Sequence, residues 1–210
     1  MKILRTFFLA LLTLGIFQTV AIANDNTDIM QLTKLLEQAK SMTGNFSQVT
    51  LDVTGTRLQE TNGELALKRP GLFRWHTSSP NEQLLISDNN RIWLYDPDLE
   101  QLTIQKMDQR MSHTPALLLS GNVSKIQKDF KITSKQAGKL TSFLLLPKDK
   151  DTMFNSLSLT FLDNTVNSMI LVDNVGQRTS IVFKNIKMNV AVDNKLFKFN
   201  PPKGTDIIKE

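Results

Sequence analysis

The chain has 210 residues, 25 basic and 20 acidic, a net charge of +5 and no cysteine. Because the charges are interspersed rather than gathered into a basic run, a nucleic-acid partner is excluded. The missing cysteines exclude a disulfide framework and, with only His76 and His113 as histidines, leave little from which to build a transition-metal site.

At the N-terminus, Lys2 and Arg5 precede the apolar stretch Phe7 to Phe17 and the small-residue ending Ala21-Ile22-Ala23. This is the layout of a cleaved secretory signal, with residues 1–23 removed and a single mature domain over 24–210. Thr13 and Gly15 interrupt the apolar stretch, which falls short of the ~20 residues a spanning helix needs. Removing the leader takes away two basic residues and leaves a surplus of three positive charges. A chain of this size buries enough apolar surface to hold its fold after export without disulfides.

From Asp28 to Met42, the residues Ile29, Leu32, Leu36 and Ala39 recur at helical spacing behind Asp25, Asn26 and Thr27 as capping candidates. One amphipathic helix is predicted there. After Gly44 the pattern changes to short runs rich in β-branched and aromatic residues, with turn signals such as Asn62-Gly63, Asp88-Asn89-Asn90 and Asp96-Pro97-Asp98. Strands are predicted at 45–54, 64–69, 72–77, 83–87, 91–95, 101–107, 130–136, 140–146, 156–162, 167–173 and 178–187. No helices alternate with them to force a parallel sheet, so the reading is one antiparallel meander. In the middle, Thr114 as N-cap, Pro115 at the first helical position and Gly121 as a stop predict a short helix across one mouth of the sheet. A second short helix is expected from Ser124 to Asp129.

Catalytic signatures are scarce. The sequence has no G-x-S-x-G elbow, H-E-x-x-H pair, phosphate loop or G-x-G-x-x-G turn. His76 with Ser78, Ser79 or Asp88 leaves a secreted hydrolase open as an alternative, since such triads are recognised by geometry and not by spacing. Asp96 and Asp98 flank Pro97 in an evident turn, where acidic residues serve turn geometry. The chain is therefore expected not to be an enzyme, and no catalytic residue, metal or cofactor is assigned.

Strand alternation places Leu65, Leu67 and Arg69 on one face, Phe73 and Trp75 together on another strand face, and Met169 with Leu171 late in the chain. A curled antiparallel sheet has a concave face, and periodicity leaves open whether that face is a packed core or a pocket. An arginine following two leucines onto an apolar face needs partners for its donors, or else must snorkel into solvent.

The run Leu67-Lys68-Arg69-Pro70-Gly71-Leu72-Phe73-Arg74-Trp75, then Leu85-Ile86-Ser87-Asp88 with Trp93-Leu94-Tyr95-Asp96-Pro97, and the ending Phe197-Lys198-Phe199-Asn200-Pro201-Pro202-Lys203-Gly204 resemble the outer-membrane lipoprotein carrier (LolA) family. The resemblance implies a mainly β fold, an incomplete, half-open antiparallel β-barrel covered by short α-helices that act as a lid. It implies a monomeric periplasmic carrier whose hydrophobic cavity takes lipoprotein acyl chains from an inner-membrane ABC transporter to an outer-membrane receptor. On that basis Leu65, Leu67, Phe73, Trp75, Leu85, Leu118, Leu119, Met169 and Leu171 are expected to touch lipid, and Arg69 to latch the lid. The consecutive leucines at 118 and 119 are not both expected to point into one narrow core, which leaves one free to exchange partners. The alternatives within the same fold are another periplasmic lipid-binding protein and the outer-membrane receptor; the receptor is itself lipid-anchored through a cysteine, and the absence of cysteine argues against it.

Overall fold

The computed structural model describes residues 25–106, 118–120 and 123–210. The expected leader and most of the expected helix around Thr114, Pro115 and Ala116, with its stop at Gly121, lie outside the described residues.

Helix α1 spans Asp25–Gln38, three residues earlier at its start and four earlier at its end than its periodicity suggests. Its apolar stripe is buried at Leu32, Leu35 and Leu36, while Met30 on the opposite face is 70% exposed. The helix stops because strand pairing captures the chain from Ser41 onward. Ser41 accepts a backbone bond from Asn189 at 2.7 Å and its hydroxyl donates to the Val190 carbonyl at 2.6 Å. Met42, in phase with the helical stripe, is thereby drawn into a strand.

The strands are β1 (Ser41–Leu51), β2 (Arg57–Lys68), β3 (Leu72–Ser79), β4 (Gln83–Asp88), β5 (Arg91–Asp96) and β6 (Gln101–Lys106). Helix α2 (Val123–Asp129) precedes β7 (Phe130–Ala137), β8 (Leu140–Pro147), β9 (Phe154–Leu162), β10 (Thr165–Asp173) and β11 (Arg178–Met188). A 3₁₀ turn at Asn194–Phe197 and a last strand, β12 (Asp206–Lys209), complete the chain. Among the described residues these strands form one open sheet in the order β12-β6-β5-β4-β3-β2-β1-β11-β10-β9-β8-β7.

Two expectations are corrected. Asn62-Gly63 is no turn: it lies inside β2, and the chain reverses at Asp52 to Thr56 instead. There the Asp52 carboxylate accepts from the Thr54 and Thr56 amides at 2.9 and 2.8 Å. Gly63 serves close approach, because a Cβ at that position would stand 1.9 Å from the His76 carbonyl oxygen. The sheet is also not wholly antiparallel, since the unforeseen β12 pairs in parallel with β6. The chain reaches that edge by crossing the outer face of the sheet. On the way Phe197 packs on Ala66 and Val192, and Phe199 lies 4.9 Å from Tyr95.

The main core fills the inner face, where side chains from β1–β4 and β7–β11 meet α1, α2, Leu118 and Leu119. Helix α1 also covers the edge strand β7. Asp28, 7% exposed, accepts from the Ser134 amide at 2.9 Å and from its hydroxyl at 2.6 Å. An edge strand so capped offers less of its backbone to another chain.

Candidate functional site

Register, not sequence neighbourhood, assembles the inner face. Leu65 lies opposite Trp75 and Trp75 opposite Leu85, while Leu67 lies between Met42 and Phe73 on its two flanks. Met169 stands between Leu159 and Ile181. Every expected lipid-facing residue on a strand is on this face, and Leu118 and Leu119 pack against it from the covering segment. Leu65, Leu67, Phe73, Trp75, Leu85 and Met169 are buried, and Leu171 is partly buried against them. Trp75 stacks on Phe46 with ring centres 3.7 Å apart, lies 5.9 Å from Phe73 and meets the edge of Phe183.

Sequence reading missed the other half of the surface. Phe143 and Leu145 on β8 and Leu157, Leu159 and Phe161 on β9 contribute as much as the residues expected. The signal was present in the alternation of Leu157-Ser158-Leu159-Thr160-Phe161, where the even positions are small hydroxyls facing out. Phe46 and the α1 leucines belong to the same surface.

The expectation that only one of Leu118 and Leu119 could enter the core is overturned: each is 3% exposed and both join the same cluster. A concave sheet flanked by α1 and α2 offers burial in more than one direction, so adjacent side chains need not compete. Between Leu36, Met42, Leu67, Leu119 and Phe161, beside Arg69, a gap of about 10 Å³ remains.

Arg69 sits at the rim of this surface, where the β2–β3 connection meets both covering segments. Its Nε donates to the Ala39 carbonyl at 3.1 Å, at the end of α1, and its Nη2 donates to the Leu119 carbonyl. Its backbone amide donates to the Lys40 carbonyl at 2.8 Å. Burial pulls the guanidinium down to about 10, with Glu37 opposing, so it remains charged at neutral pH. A planar fork of fixed donors suits two carbonyls that belong to different segments.

A second tie was not legible in the sequence. The Gly71 amide donates to the Ser120 carbonyl at 3.0 Å, so the turn that carries Arg69 also holds Leu118–Ser120 through its backbone. Gly71 has φ of 70°, and a Cβ there would fall 2.0 Å from the Asn89 side-chain oxygen. The turn is fixed from behind by Ser87, fully buried, whose hydroxyl donates to the Gly71 carbonyl at 2.9 Å and accepts from the Asn89 amide at 3.3 Å.

The hydrolase alternative finds no such assembly. His76 Nε2 is 2.8 Å from Glu82 on the outer face, and Asp88 pairs with Leu72 at the far end of the strand from His76. Asp96 accepts from the Leu99 amide at 3.1 Å, a turn contact. Among the described residues no three His, Cys, Asp or Glu side chains converge as a metal site, and no helix is long and apolar enough to cross a membrane.

Residues 37–200 match the family described as "Outer membrane lipoprotein carrier protein LolA". The outer-membrane lipoprotein carrier protein of Pseudomonas paraeruginosa is 56% identical over 210 residues, covering 100% of both chains. That of Azotobacter vinelandii is 54% identical over 207 residues, covering 99% of this chain and 100% of its own. Among solved structures, an uncharacterized conserved protein from Thermus thermophilus superposes with a TM-score of 0.54 at 11% identity, covering 89% of this chain and 100% of that one. This last likeness concerns the fold.

Proposed function

Since the chain belongs to the outer-membrane lipoprotein carrier (LolA) family, we propose that its inner face receives the acyl chains of lipoproteins in the periplasm. The donor is an inner-membrane ABC transporter and the acceptor an outer-membrane lipoprotein receptor. The observation that carries this reading is a continuous apolar surface, from β1 to β11, covered by segments that are held at their ends by a few polar bonds.

The energetics of such a carrier follow from the covered apolar face. Each acyl CH₂ left in water costs about 0.8 kcal/mol, so a set of lipid chains cannot travel exposed. The gap of about 10 Å³ beside Arg69 is too small for an acyl chain. Loading at this rim displaces Leu118 and Leu119 from the inner face as the chains take their place. Leu118 and Leu119 lose their burial in the core as the ligand gains its own, so hydrophobic terms largely cancel. The polar ties of Arg69 and Gly71, which exist only when the cover is closed, then weigh toward the empty state. Small differences suffice for hand-off, because each ~1.4 kcal/mol changes a transfer ratio tenfold. No nucleotide is needed in this chain if the donor supplies the work of extraction.

The test is photo-crosslinking from position 73, on the inner face of β3. The expected product is a lipoprotein adduct that forms on incubation with lipoprotein-bearing inner-membrane vesicles and an energised transporter. Capture from an outer-face position such as His76, with none from 73, would refute the assignment.

A further inference from the structure

The outer face carries a pocket lined by both charged and apolar residues. It has a volume of about 330 Å³ and lies over β2 where β1, β3 and β11 flank it. Its shape comes from cross-strand register. Arg74 lies opposite Ala66, Ala66 opposite Thr43, and Thr43 opposite Lys187. Across four strands the order is thus a long cation, two small residues and a second long cation, so Ala66 and Thr43 form a low floor between tall walls.

The other two walls are also built features. Glu64 follows on the same face of β2 and lies opposite Asn45. Pairing of β1 with β11 slips between Thr43 and Asn45, and at that bulge Asn185 adopts φ of 53° and donates from Nδ2 to the Asn45 side-chain oxygen at 3.1 Å. Leu196 closes the remaining side. It is held there by the buried Phe197 beside it and by Lys68, whose Nζ donates to the Asn194 side chain at 2.8 Å.

The pocket gathers two cations, Arg74 and Lys187, and one carboxylate, Glu64. Glu64 and Glu82 act on the charge of Arg74, and among the described residues no ion pair joins Arg74, Lys187 and Glu64 to one another. A simple anion would meet the Glu64 carboxylate, and a simple cation would meet two positive groups. A molecule bearing both charges answers all three.

We propose that the pocket binds a zwitterion made of an oxyanion and a primary ammonium a few bonds apart, the class of phosphoethanolamine. The oxyanion lies between the Arg74 fork and Lys187, where paired donors match phosphate oxygens. The ammonium lies on Glu64, and the carboxamides of Asn45 and Asn185 supply the remaining polar groups. Sources of this chemistry are a free small molecule and a lipid headgroup entering with its esterified end outward. The site is independent of the inner face and of what that face carries.

The experiment is an amide-shift titration of the purified chain with O-phosphoethanolamine, with inorganic phosphate and ethanolamine as separate probes. Saturable shifts at Thr43, Asn45, Ala66 and Asn185 are expected with phosphoethanolamine, and weaker ones with either half alone. Lys187→Gln, at an exposed position that leaves the fold intact, and Arg74→Gln should each weaken binding by roughly tenfold, the scale of one charged hydrogen bond. Glu64→Gln should abolish the preference over phosphate. Flotation with phosphatidylethanolamine vesicles but not phosphatidylcholine vesicles, lost in Lys187→Gln, assigns the lipid source; binding confined to the free compound assigns the soluble one. Shifts that do not saturate, equal response to phosphate, or variants that bind as the parent does would overturn the site.

Discussion

Arg69→Leu separates loading from delivery if the rim bonds bias the cover toward the sheet. The substitution removes the donors to Ala39 and Leu119 while adding apolar surface beside Leu67. A hydrogen bond from a charged donor contributes about 1.5–3 kcal/mol. Loss of the Leu119 bond alone then shifts the closed-to-open ratio by roughly 10- to 150-fold toward open. Closure is not abolished, because the Gly71 amide still donates to Ser120, and a neutral bond contributes about 0.5–1.5 kcal/mol. The variant should therefore accept lipoprotein from energised inner-membrane vesicles at least as well as the parent and release it poorly to a purified outer-membrane receptor. Arg69→Lys should fall between them, since a single ammonium cannot reproduce a fork that reaches two carbonyls. The assay scores the two transfers separately. Equal delivery by the parent and by Arg69→Leu would show that the guanidinium only satisfies its own burial and has no part in hand-off.

Ser87→Ala should loosen the turn that positions the Gly71 amide, lowering the melting temperature by about 2–4 °C for a loss near 1 kcal/mol and reducing delivery less than Arg69→Leu does. Unchanged delivery alongside that melting shift would make Ser87 a purely structural residue. Leu119→Ala should cost about 2–5 kcal/mol of folding stability, as expected for a buried leucine, and a denaturant midpoint equal to the parent's would contradict its burial. Asp28→Ala leaves the Ser134 amide without its acceptor and should cost about 1–3 kcal/mol. Hydrogen exchange at Ser134 should accelerate accordingly, and an unchanged rate would show that α1 does not protect the β7 edge.

What could be read beforehand obeys a physical divide. The eleven strands from β1 to β11 were visible because β-branched and aromatic runs between turn residues are local signals, and their alternation placed Leu65, Leu67, Phe73 and Trp75 on one surface. Features set by distant partners were not visible. Gly63 looked like a turn because the carbonyl that demands a glycine there belongs to His76, on the next strand. Strand β12 is a run of only Asp206-Ile207-Ile208-Lys209, and its pairing partner lies about a hundred residues back. The bond from Arg69 to the covering segment came from a family resemblance, and nothing in residue spacing indicated Leu119 as its acceptor. The Gly71 and Ser87 contacts are backbone and hydroxyl bonds that no local pattern encodes.

The two tryptophans stand on opposite sides of the sheet, Trp75 stacked on Phe46 in the interior and Trp93 facing outward across from Ile86. The molecule thus contains an optical gauge of its own condition. Indole emission moves to the red as its surroundings become wet, and a stacked aromatic neighbour alters its intensity. Trp93→Phe would leave a single emitter at the centre of the proposed lipid surface, reporting in real time and without any label whether that surface faces protein, water or hydrocarbon. Brominated acyl chains, which quench indole on contact, would then distinguish a filled interior from one that has merely opened.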